Sequence, residues 1–392
     1  MSDLVIGNVL AVQWECLSPV SNAVLEGMIS EALNYENVEE IYGSSHGFYG
    51  LLGHNLIDLA SQSQQVIRDL RFTPGVVLGA ASKFKHLAKE MDAIFDAFKE
   101  YNIRFLLITG GMEAQLTAFE LSKEAQKRSY GLNVISIPDT IYNNLPITDH
   151  CLGYGSVSKF IATTLRELSR YAMATANHDL VNIIEIASEK SDWLIASALF
   201  EGATQNIILL PSHNFSEKQF LEAVQNTLKT NIYCNVVTTN CLMDGEGNYL
   251  VQKNARGTSV AMKLKEILEE SLEVQVSTTK FELLQYVATH FLSKTDVDEA
   301  YVCGTKAIRF ALDGLTGKMM TILRSESNQY GVEFGVADLA NICGHEKLIP
   351  EHWFNENREL NANFSKYLSP LIQGGMFIAE SNGLPKFATL RH

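Results

Sequence analysis

The chain has 392 residues, of which 46% are hydrophobic and 19% are charged, and its formal net charge is −14. This apolar content predicts a folded chain whose core is larger than one domain usually supports, so we expect two domains. The acidic balance argues against binding of nucleic acid through neutralisation of its phosphates. No apolar run is long enough to cross a bilayer, so no membrane contact is predicted.

The six cysteines are scattered, without a Cys-x-x-Cys pair or another paired-ligand spacing. They are Cys16, Cys151, Cys234, Cys241, Cys303 and Cys343. We expect them to stay reduced, which is typical of a cytoplasmic protein. The N-terminal residues lack a basic stretch followed by an apolar one, so no secretory signal is predicted.

Short apolar runs alternate with longer amphipathic segments along the chain. A strand is predicted over Leu4–Val12, followed by a helix over Asn22–Leu33 that Ser21 could cap. Next come a strand over Phe105–Ile108, a helix over Gln115–Lys127 and strands over Val134–Ile137, Ile183–Ile186, Ile207–Leu210 and Ile232–Val237, each of the last three followed by a helical segment. A less regular tail begins at Gly314.

Strands that alternate with helices predict an α/β fold with a largely parallel sheet and helices on both faces. In such sheets, ligands bind where the strands end and the helices begin. Of the turns elsewhere, 244–248 (Asp-Gly-Glu-Gly-Asn) lacks the length of a calcium loop, so we interpret it as a hairpin turn.

The segment after the strand Val134–Ile137 carries a motif. Residues 138–149 read PDTIYNNLPITD, which resembles the phosphofructokinase signature PKT[IV]DND[LI]PxTD, and 153–157 continue it. Upstream, 108–111 resemble the strand that leads into the family's Gly-Gly-Asp turn. Downstream, 293–301 resemble a scaffold helix of the pyrophosphate-using group. The whole resemblance runs from about Leu10 to Leu384.

This resemblance implies a two-lobed phosphofructokinase fold with active sites between the lobes. The implied larger lobe, which binds the phosphate donor, covers 1–148 and about 256–313. The implied smaller lobe, which binds the sugar phosphate, covers 149–255 and about 314–392. The family transfers a phosphoryl group to the 1-hydroxyl of fructose 6-phosphate, with an aspartate as base, acidic residues that hold magnesium, and arginines that hold phosphates.

The positions that carry this chemistry in the family hold other residues here. The aspartate that acts as base is replaced by Tyr142, whose phenol has an ordinary pKa of about 10 and is a poor base at neutral pH. The second aspartate of the motif is Asn144, and the family's lysine is Asp139.

The side of the cleft that binds the phosphate donor is altered as well. After Gly110 and Gly111, the metal-binding aspartate is replaced by Met112, and Glu113 is a weak metal candidate one position later. The glycine pair of the family's first turn falls on 15–16, where Glu15 and Cys16 obstruct a phosphate. Ser82 stands where the family has an arginine in this turn, and Lys83 next to it is a candidate substitute for that arginine.

The sugar-phosphate side shows a reversal of charge. The family's Met-Gly-Arg is Ala-Ser-Glu here, so that Glu189, followed by Lys190, stands in place of an arginine. The family's Glu-Gly falls on Thr239 and Asn240, and the Tyr-x-x-Arg clamp ends in Tyr286 instead of arginine.

These replacements predict a phosphofructokinase-fold protein that has lost phosphotransferase activity and acts as a regulatory, structural or repurposed relative. An active pyrophosphate- or ATP-dependent enzyme and a new role for the same cleft stay open as alternatives. No cofactor is expected, and magnesium is expected only for the active enzyme. Two interpretations are open for Trp14, Met112 and Tyr142. They form a new apolar ligand pocket, or they fill the space that the substrate has vacated.

The resemblance implies a homo-oligomer, a dimer or a tetramer, or a hetero-oligomer with an active phosphofructokinase. A small molecule is a further candidate partner. No nucleic acid or membrane partner is predicted.

Overall fold

The computed structural model describes residues 5–15, 17–81, 87–175, 179–200, 206–252, 258–327, 329–355 and 359–391. The strands are β1 (Gly7–Gln13), β2 (Val38–Ser44), β3 (Leu56–Asp58), β4 (Ile103–Gly110), β5 (Asn133–Pro138), β6 (Leu180–Ile186), β7 (Asn206–Ile208), β8 (Tyr233–Thr239), β9 (Gln275–Lys280), β10 (Lys318–Arg324), β11 (Val332–Asp338), β12 (Glu380–Ser381) and β13 (Leu384–Pro385). The helices are α1 (Ser21–Ala32), α2 (Phe48–Leu52), α3 (Gln64–Asp69), α4 (Leu87–Glu100), α5 (Met112–Lys127), α6 (Tyr154–Thr175), α7 (Asp192–Ala196), α8 (Glu217–Leu228), α9 (Val260–Ser271), α10 (Leu284–Val287), α11 (Lys294–Leu312) and α12 (Ala362–Leu368).

Two sheets organise the molecule. The larger sheet has the strand order β11-β10-β5-β4-β1-β2-β3, and its central strands β5, β4, β1 and β2 are parallel. Its two edges are antiparallel, where β11 pairs with β10 and β3 pairs with β2. The smaller sheet has the order β7-β8-β6-β9 and is parallel throughout. The α/β class with largely parallel sheets is therefore confirmed.

Helices cover both faces of the larger sheet. Val9 and Ala11 of β1 lie in one apolar cluster with side chains of α1 and α11, whereas Leu10 and Val12 lie in another with side chains of α4 and α5. Successive residues of a strand point to opposite faces, so a strand buried on both faces becomes a continuous apolar run. A third cluster joins the two sheets and contains Ile141 after β5 together with residues of α6, β6 and α12.

The predicted division of the chain is wrong for three strands. β9 pairs with β6 in the smaller sheet, although 256–313 was assigned to the larger lobe. β10 and β11 join the larger sheet through β5, whereas the predicted division places 314–392 in the smaller lobe as a less regular tail. Strand pairing joins residues far apart in sequence, so the chain order of the elements does not fix the sheet to which they belong.

Three local predictions can be compared with the structure. Ser21 does not cap α1 from outside: it is the first helical residue, and its hydroxyl lies 3.1 Å from that of Ser18. α5 begins at Met112, three residues earlier than predicted, so the predicted donor turn is the N-terminus of a helix. The turn at 244–248 is a hairpin turn, as predicted, since Met243 and Tyr249 form an antiparallel bridge.

None of the helices among the described residues combines the length and the apolar character that a membrane crossing needs.

Candidate functional site

A cavity of about 660 Å³ opens where strands of both sheets end. β1, β4 and β5 of the larger sheet and β6 of the smaller sheet each lead into a turn on its wall, and α10 supplies a further residue. The lining residues are Glu15, Leu17, Ala80, Ala81, Gly111, Met112, Glu113, Thr140, Tyr142, Asn144, Glu189, Lys190 and Tyr286. The structure thus brings together predicted site residues from five separate segments of the chain.

A pair of tyrosines stands in the middle of this cavity wall. The Tyr142 and Tyr286 hydroxyl oxygens lie 2.8 Å apart, at hydrogen-bond distance, although 144 positions separate the residues in the chain. Ser191 donates a hydrogen bond to the Tyr142 carbonyl oxygen over 2.6 Å, which fixes the backbone beneath the ring. Burial raises the pKa of both phenols, and the neighbouring Glu189 carboxylate raises it further. The Tyr142 hydroxyl therefore stays protonated at neutral pH and cannot act as a general base.

A second, smaller cavity of about 260 Å³ adjoins the first. It is lined by Glu185, Ala187, Asn240, Glu282, Leu283 and Tyr286. Tyr286 lines both cavities, and its hydroxyl is paired with that of Tyr142 in the wall of the larger one.

The turn after β6 has a strained backbone. Glu189 and Lys190 have φ angles of 45° and 71°, the left-handed region that residues with a side chain rarely adopt. Lys190 is exposed, and its ammonium lies 5.3 Å from the centre of the Tyr249 ring. A hydrogen bond to Tyr249 raises the pKa of Lys190, so this cation is held beside the Tyr249 ring.

Thr239 does not line either cavity, contrary to its prediction as a cleft residue. Its side chain is buried, and its hydroxyl lies 2.6 Å from that of Ser188. It also accepts a hydrogen bond from the Cys241 N–H over 3.0 Å. Thr239 therefore stabilises the turn that carries Glu189 and has no access to a ligand.

Asp139 is also absent from the cavity wall. It is fully buried, and its carboxylate accepts a hydrogen bond from the Ser18 hydroxyl over 2.6 Å. Asn144 does face the cavity, and its side-chain amide donates to Glu346 over 3.2 Å. Of the two motif positions, only Asn144 can therefore contact a ligand.

The turn that should hold the phosphate donor is the N-terminus of α5. A Cβ on Gly110 would come within 2.0 Å of the Trp14 carbonyl oxygen, so glycine is required there by the contact with the end of β1. Gly111 has more room, since a Cβ there would first meet Thr140 at 3.6 Å. Met112 and Glu113 follow as the first helical residues, and both face the cavity.

The donor set of this site does not fit magnesium. Magnesium requires oxygen ligands in octahedral geometry, and the Met112 thioether at the expected carboxylate position is a soft ligand that suits other metals. Among the residues that the structure describes, no three His, Cys, Asp or Glu side chains come together as a metal site. Glu113 therefore does not belong to such a group of three within the described ranges.

Three predicted site residues, Cys16, Ser82 and Lys83, lie outside the described residues.

Lys347 contacts the signature turn, although no sequence motif pointed to this residue. Its ammonium donates to the Asn143 side-chain oxygen over 2.9 Å and to the Asp149 carbonyl over 2.8 Å, and it lies 5.1 Å from the centre of the Trp193 ring. Burial lowers the pKa of Lys347 to about 8. Because Lys347 is some 200 positions from the turn in sequence, no local pattern could predict this contact.

His150 follows the signature turn and is buried between two carboxylates. Its ring nitrogens lie 2.9 Å from Asp149 and 2.6 Å from Glu299, and Glu299 also accepts a hydrogen bond from Tyr330 over 2.7 Å. Burial alone would lower the pKa of His150, but Glu299 and Asp149 raise it to about 9. Both ring nitrogens are engaged, so His150 is held in place by the two carboxylates.

Comparisons with known proteins agree with this fold. The Phosphofructokinase family model matches residues 9–310. A pyrophosphate–fructose 6-phosphate 1-phosphotransferase of Halomonas elongata is 30% identical over 401 residues, which cover 98% of this chain and 96% of that protein.

Two solved structures match over nearly their whole length. A pyrophosphate-dependent phosphofructokinase from Nitrosospira multiformis gives a TM-score of 0.92 at 29% identity and covers 99% of this chain and 97% of that one. A second pyrophosphate-dependent phosphofructokinase, from Marinobacter aquaeolei, gives a TM-score of 0.90 at 30% identity. This match covers 98% of this chain and 96% of that one. The chain therefore belongs to the phosphofructokinase family, within its pyrophosphate-dependent group.

Proposed function

We propose that this chain does not catalyse phosphoryl transfer to fructose 6-phosphate, and that it serves as a regulatory, structural or repurposed member of the family. The observation that carries this proposal is the Tyr142–Tyr286 hydroxyl pair. A protonated, hydrogen-bonded phenol in the wall of the larger cavity stands where the family resemblance puts the catalytic carboxylate.

Loss of the base alone typically costs about 10²- to 10⁴-fold in rate. Tyr286 lines both the larger cavity and the smaller cavity beside Ala187 and Asn240, and a phenol therefore stands where the family's sugar-phosphate clamp has an arginine.

Electrostatics support the same conclusion. Glu189 stands in place of a phosphate-binding arginine and faces the cavity together with Glu15 and Glu113. A carboxylate in that position repels a phosphate group instead of forming the charge-assisted hydrogen bonds that an arginine would form. The Met112 thioether, as described above, does not replace the missing magnesium ligand.

The alternative is an active pyrophosphate-dependent enzyme, which the names of the matched relatives favour. One assay separates the two: conversion of fructose 6-phosphate with pyrophosphate and with ATP, with the Halomonas elongata relative as positive control. We expect no turnover above background. Turnover at rates comparable to the control would refute the proposal.

A restored variant identifies the cause of the loss. It combines Tyr142→Asp, Met112→Asp and Glu189→Arg, which return the base, the metal ligand and a phosphate-binding arginine. Any turnover gained by this variant, and absent from the parent, would assign the loss to these positions.

We further propose that the chain forms an oligomer in the cytoplasm, either with itself or with an active phosphofructokinase. In support, α10 exposes Leu284 and Val287, with Leu283 just before it, beside the cavity residue Tyr286. Sedimentation velocity at micromolar concentration measures the oligomeric state, and a monomer at all concentrations would count against the proposal.

A further inference from the structure

The larger cavity is wide enough for a small organic molecule. Its volume of about 660 Å³ lies within the usual range for ligand pockets, about 300–1,000 Å³. Its wall combines the aromatic rings of Tyr142 and Tyr286 with the apolar side chains of Leu17 and Met112. Replacement of the family's residues has therefore changed the chemistry of the cleft without closing it.

The ionisable side chains of the described wall are mainly acidic. Glu15, Glu113 and Glu189 come from three different turns, after β1, at the start of α5 and after β6. Lys190 is the basic residue of this described wall, and its ammonium lies 5.3 Å from the centre of the Tyr249 ring. The described part of the cavity thus presents negative charge from several directions.

Glu189 lies close to the aromatic pair. It lines the same cavity as Tyr142 and Tyr286, and its carboxylate raises the pKa of both phenols. Its side chain is exposed, and within the described ranges it forms no hydrogen bond or ion pair. The left-handed backbone at Glu189 and Lys190 is held by the Ser188–Thr239 contact beneath it. An available carboxylate and two tyrosine rings therefore share one wall.

The charge of the cavity wall indicates which class of ligand it can bind. A phosphate ester would meet carboxylates where the family has arginines, which opposes binding. A neutral polyol could form hydrogen bonds but would gain nothing from the negative field. A protonated amine gains both a charge-assisted hydrogen bond to a carboxylate and a cation–π contact with a tyrosine ring.

We infer that the larger cavity is a binding site for an organic cation, a compound with one or more protonated amines. This inference rests on the proposed function, because the carboxylates that attract a cation are the ones that oppose binding of a phosphoryl donor. Glu189 is the residue that determines the charge of the ligand.

The test is isothermal titration of the full-length protein with spermidine. We expect saturable binding of one spermidine per chain, and no saturable heat with mannitol or pyrophosphate. Glu189→Gln should weaken spermidine binding by about two- to fivefold, which is the scale of one partly exposed charge pair, and Glu189→Arg should weaken it more.

Spermidine also binds acidic surfaces nonspecifically, so a matched control is needed. Glu273→Gln removes the same charge from an exposed position between α9 and β9, away from the cavity. This variant should bind spermidine as the parent does. The midpoint of thermal unfolding without ligand checks that each variant is folded.

The inference is overturned if spermidine does not saturate, if Glu189→Gln and Glu273→Gln have equal effects, or if mannitol binds more tightly than spermidine. These results are distinguishable from failure of the proposed function, which is decided by turnover of fructose 6-phosphate in the separate assay. Turnover together with specific spermidine binding would refute the lost activity and leave the cation site in place. Absence of both would refute the cation site alone.

Discussion

At the residue scale, Tyr142 matters most, because a single hydrogen bond joins its hydroxyl to that of Tyr286 in the cavity wall. A neutral hydrogen bond of this kind contributes about 0.5–1.5 kcal/mol to stability. We expect Tyr142→Phe, Tyr286→Phe and the double variant to show a coupling energy of that size in a double-mutant cycle of urea unfolding. Tyr171→Phe, on an exposed tyrosine, is the control. A coupling energy near zero would mean that the pair is not formed in solution.

A second prediction at this scale concerns His150 and pH. Its pKa is about 9 in the folded chain against an ordinary 6.5, so the folded state binds more protons and the ion pairs stabilise it fully below pH 6.5. This stability is lost as the pH rises towards 9. Between about pH 6.5 and 8 we expect the free energy of unfolding to fall by about 2 kcal/mol from this group.

Above pH 8, Lys347 acts in the opposite direction. Its folded pKa of about 8 lies below the ordinary 10.5, so the unfolded chain binds more protons and stability rises with pH there. The effect of His150 on stability is therefore measured with least interference from Lys347 between pH 6.5 and 8. Urea unfolding across this window should show the decline in the parent and a flatter profile in His150→Gln. Equal slopes for both proteins would contradict the prediction.

At the scale of elements, the contact between α1 and α11 depends on glycine. A Cβ on Gly304 would come within 2.1 Å of the Val24 carbonyl oxygen, and one on Gly27 within 2.1 Å of the Tyr301 carbonyl oxygen. In a free helix, alanine is better than glycine by about 1 kcal/mol. Here the close approach of two backbones reverses that preference.

We therefore expect Gly304→Ala to lower the free energy of unfolding by about 1–3 kcal/mol, as overpacking usually does. Gly245→Ala is the matched control, because a Cβ there meets nothing within 4 Å and the residue lies in a turn. Denaturant unfolding of both variants is the measurement. A Gly304→Ala protein as stable as the parent would show that the two helices can separate without cost.

At the scale of the whole molecule, the net charge of −14 produces a field that attracts cations and repels anions. Salt screens this field, with a Debye length of about 10 Å at 0.1 M. If the cavity binds spermidine, its affinity should fall by roughly three- to tenfold between about 0.05 and 0.5 M sodium chloride. Titration at the two salt concentrations measures the change. Salt-independent binding would show that contacts other than charge dominate.

The sequence by itself determined the class of the fold and the identity of the altered positions. β1, β4, β5, β6 and β8 were predictable because burial on both faces leaves a continuous apolar run in the local sequence. The phosphofructokinase resemblance depended on contiguous motifs, and it predicted that Tyr142 and Met112 would face the cleft. These features are encoded within short windows of the chain.

Only the tertiary structure decided which residues meet. It placed β9 in the smaller sheet and β10 and β11 in the larger one, buried Thr239 and Asp139 away from the cavity, and brought Lys347 onto the signature turn. It also joined Tyr142 to Tyr286. The physical reason is the separation along the chain of the residues that interact. Helix and strand patterns arise from neighbours in sequence, whereas sheet order and side-chain partners arise from contacts between residues up to hundreds of positions apart.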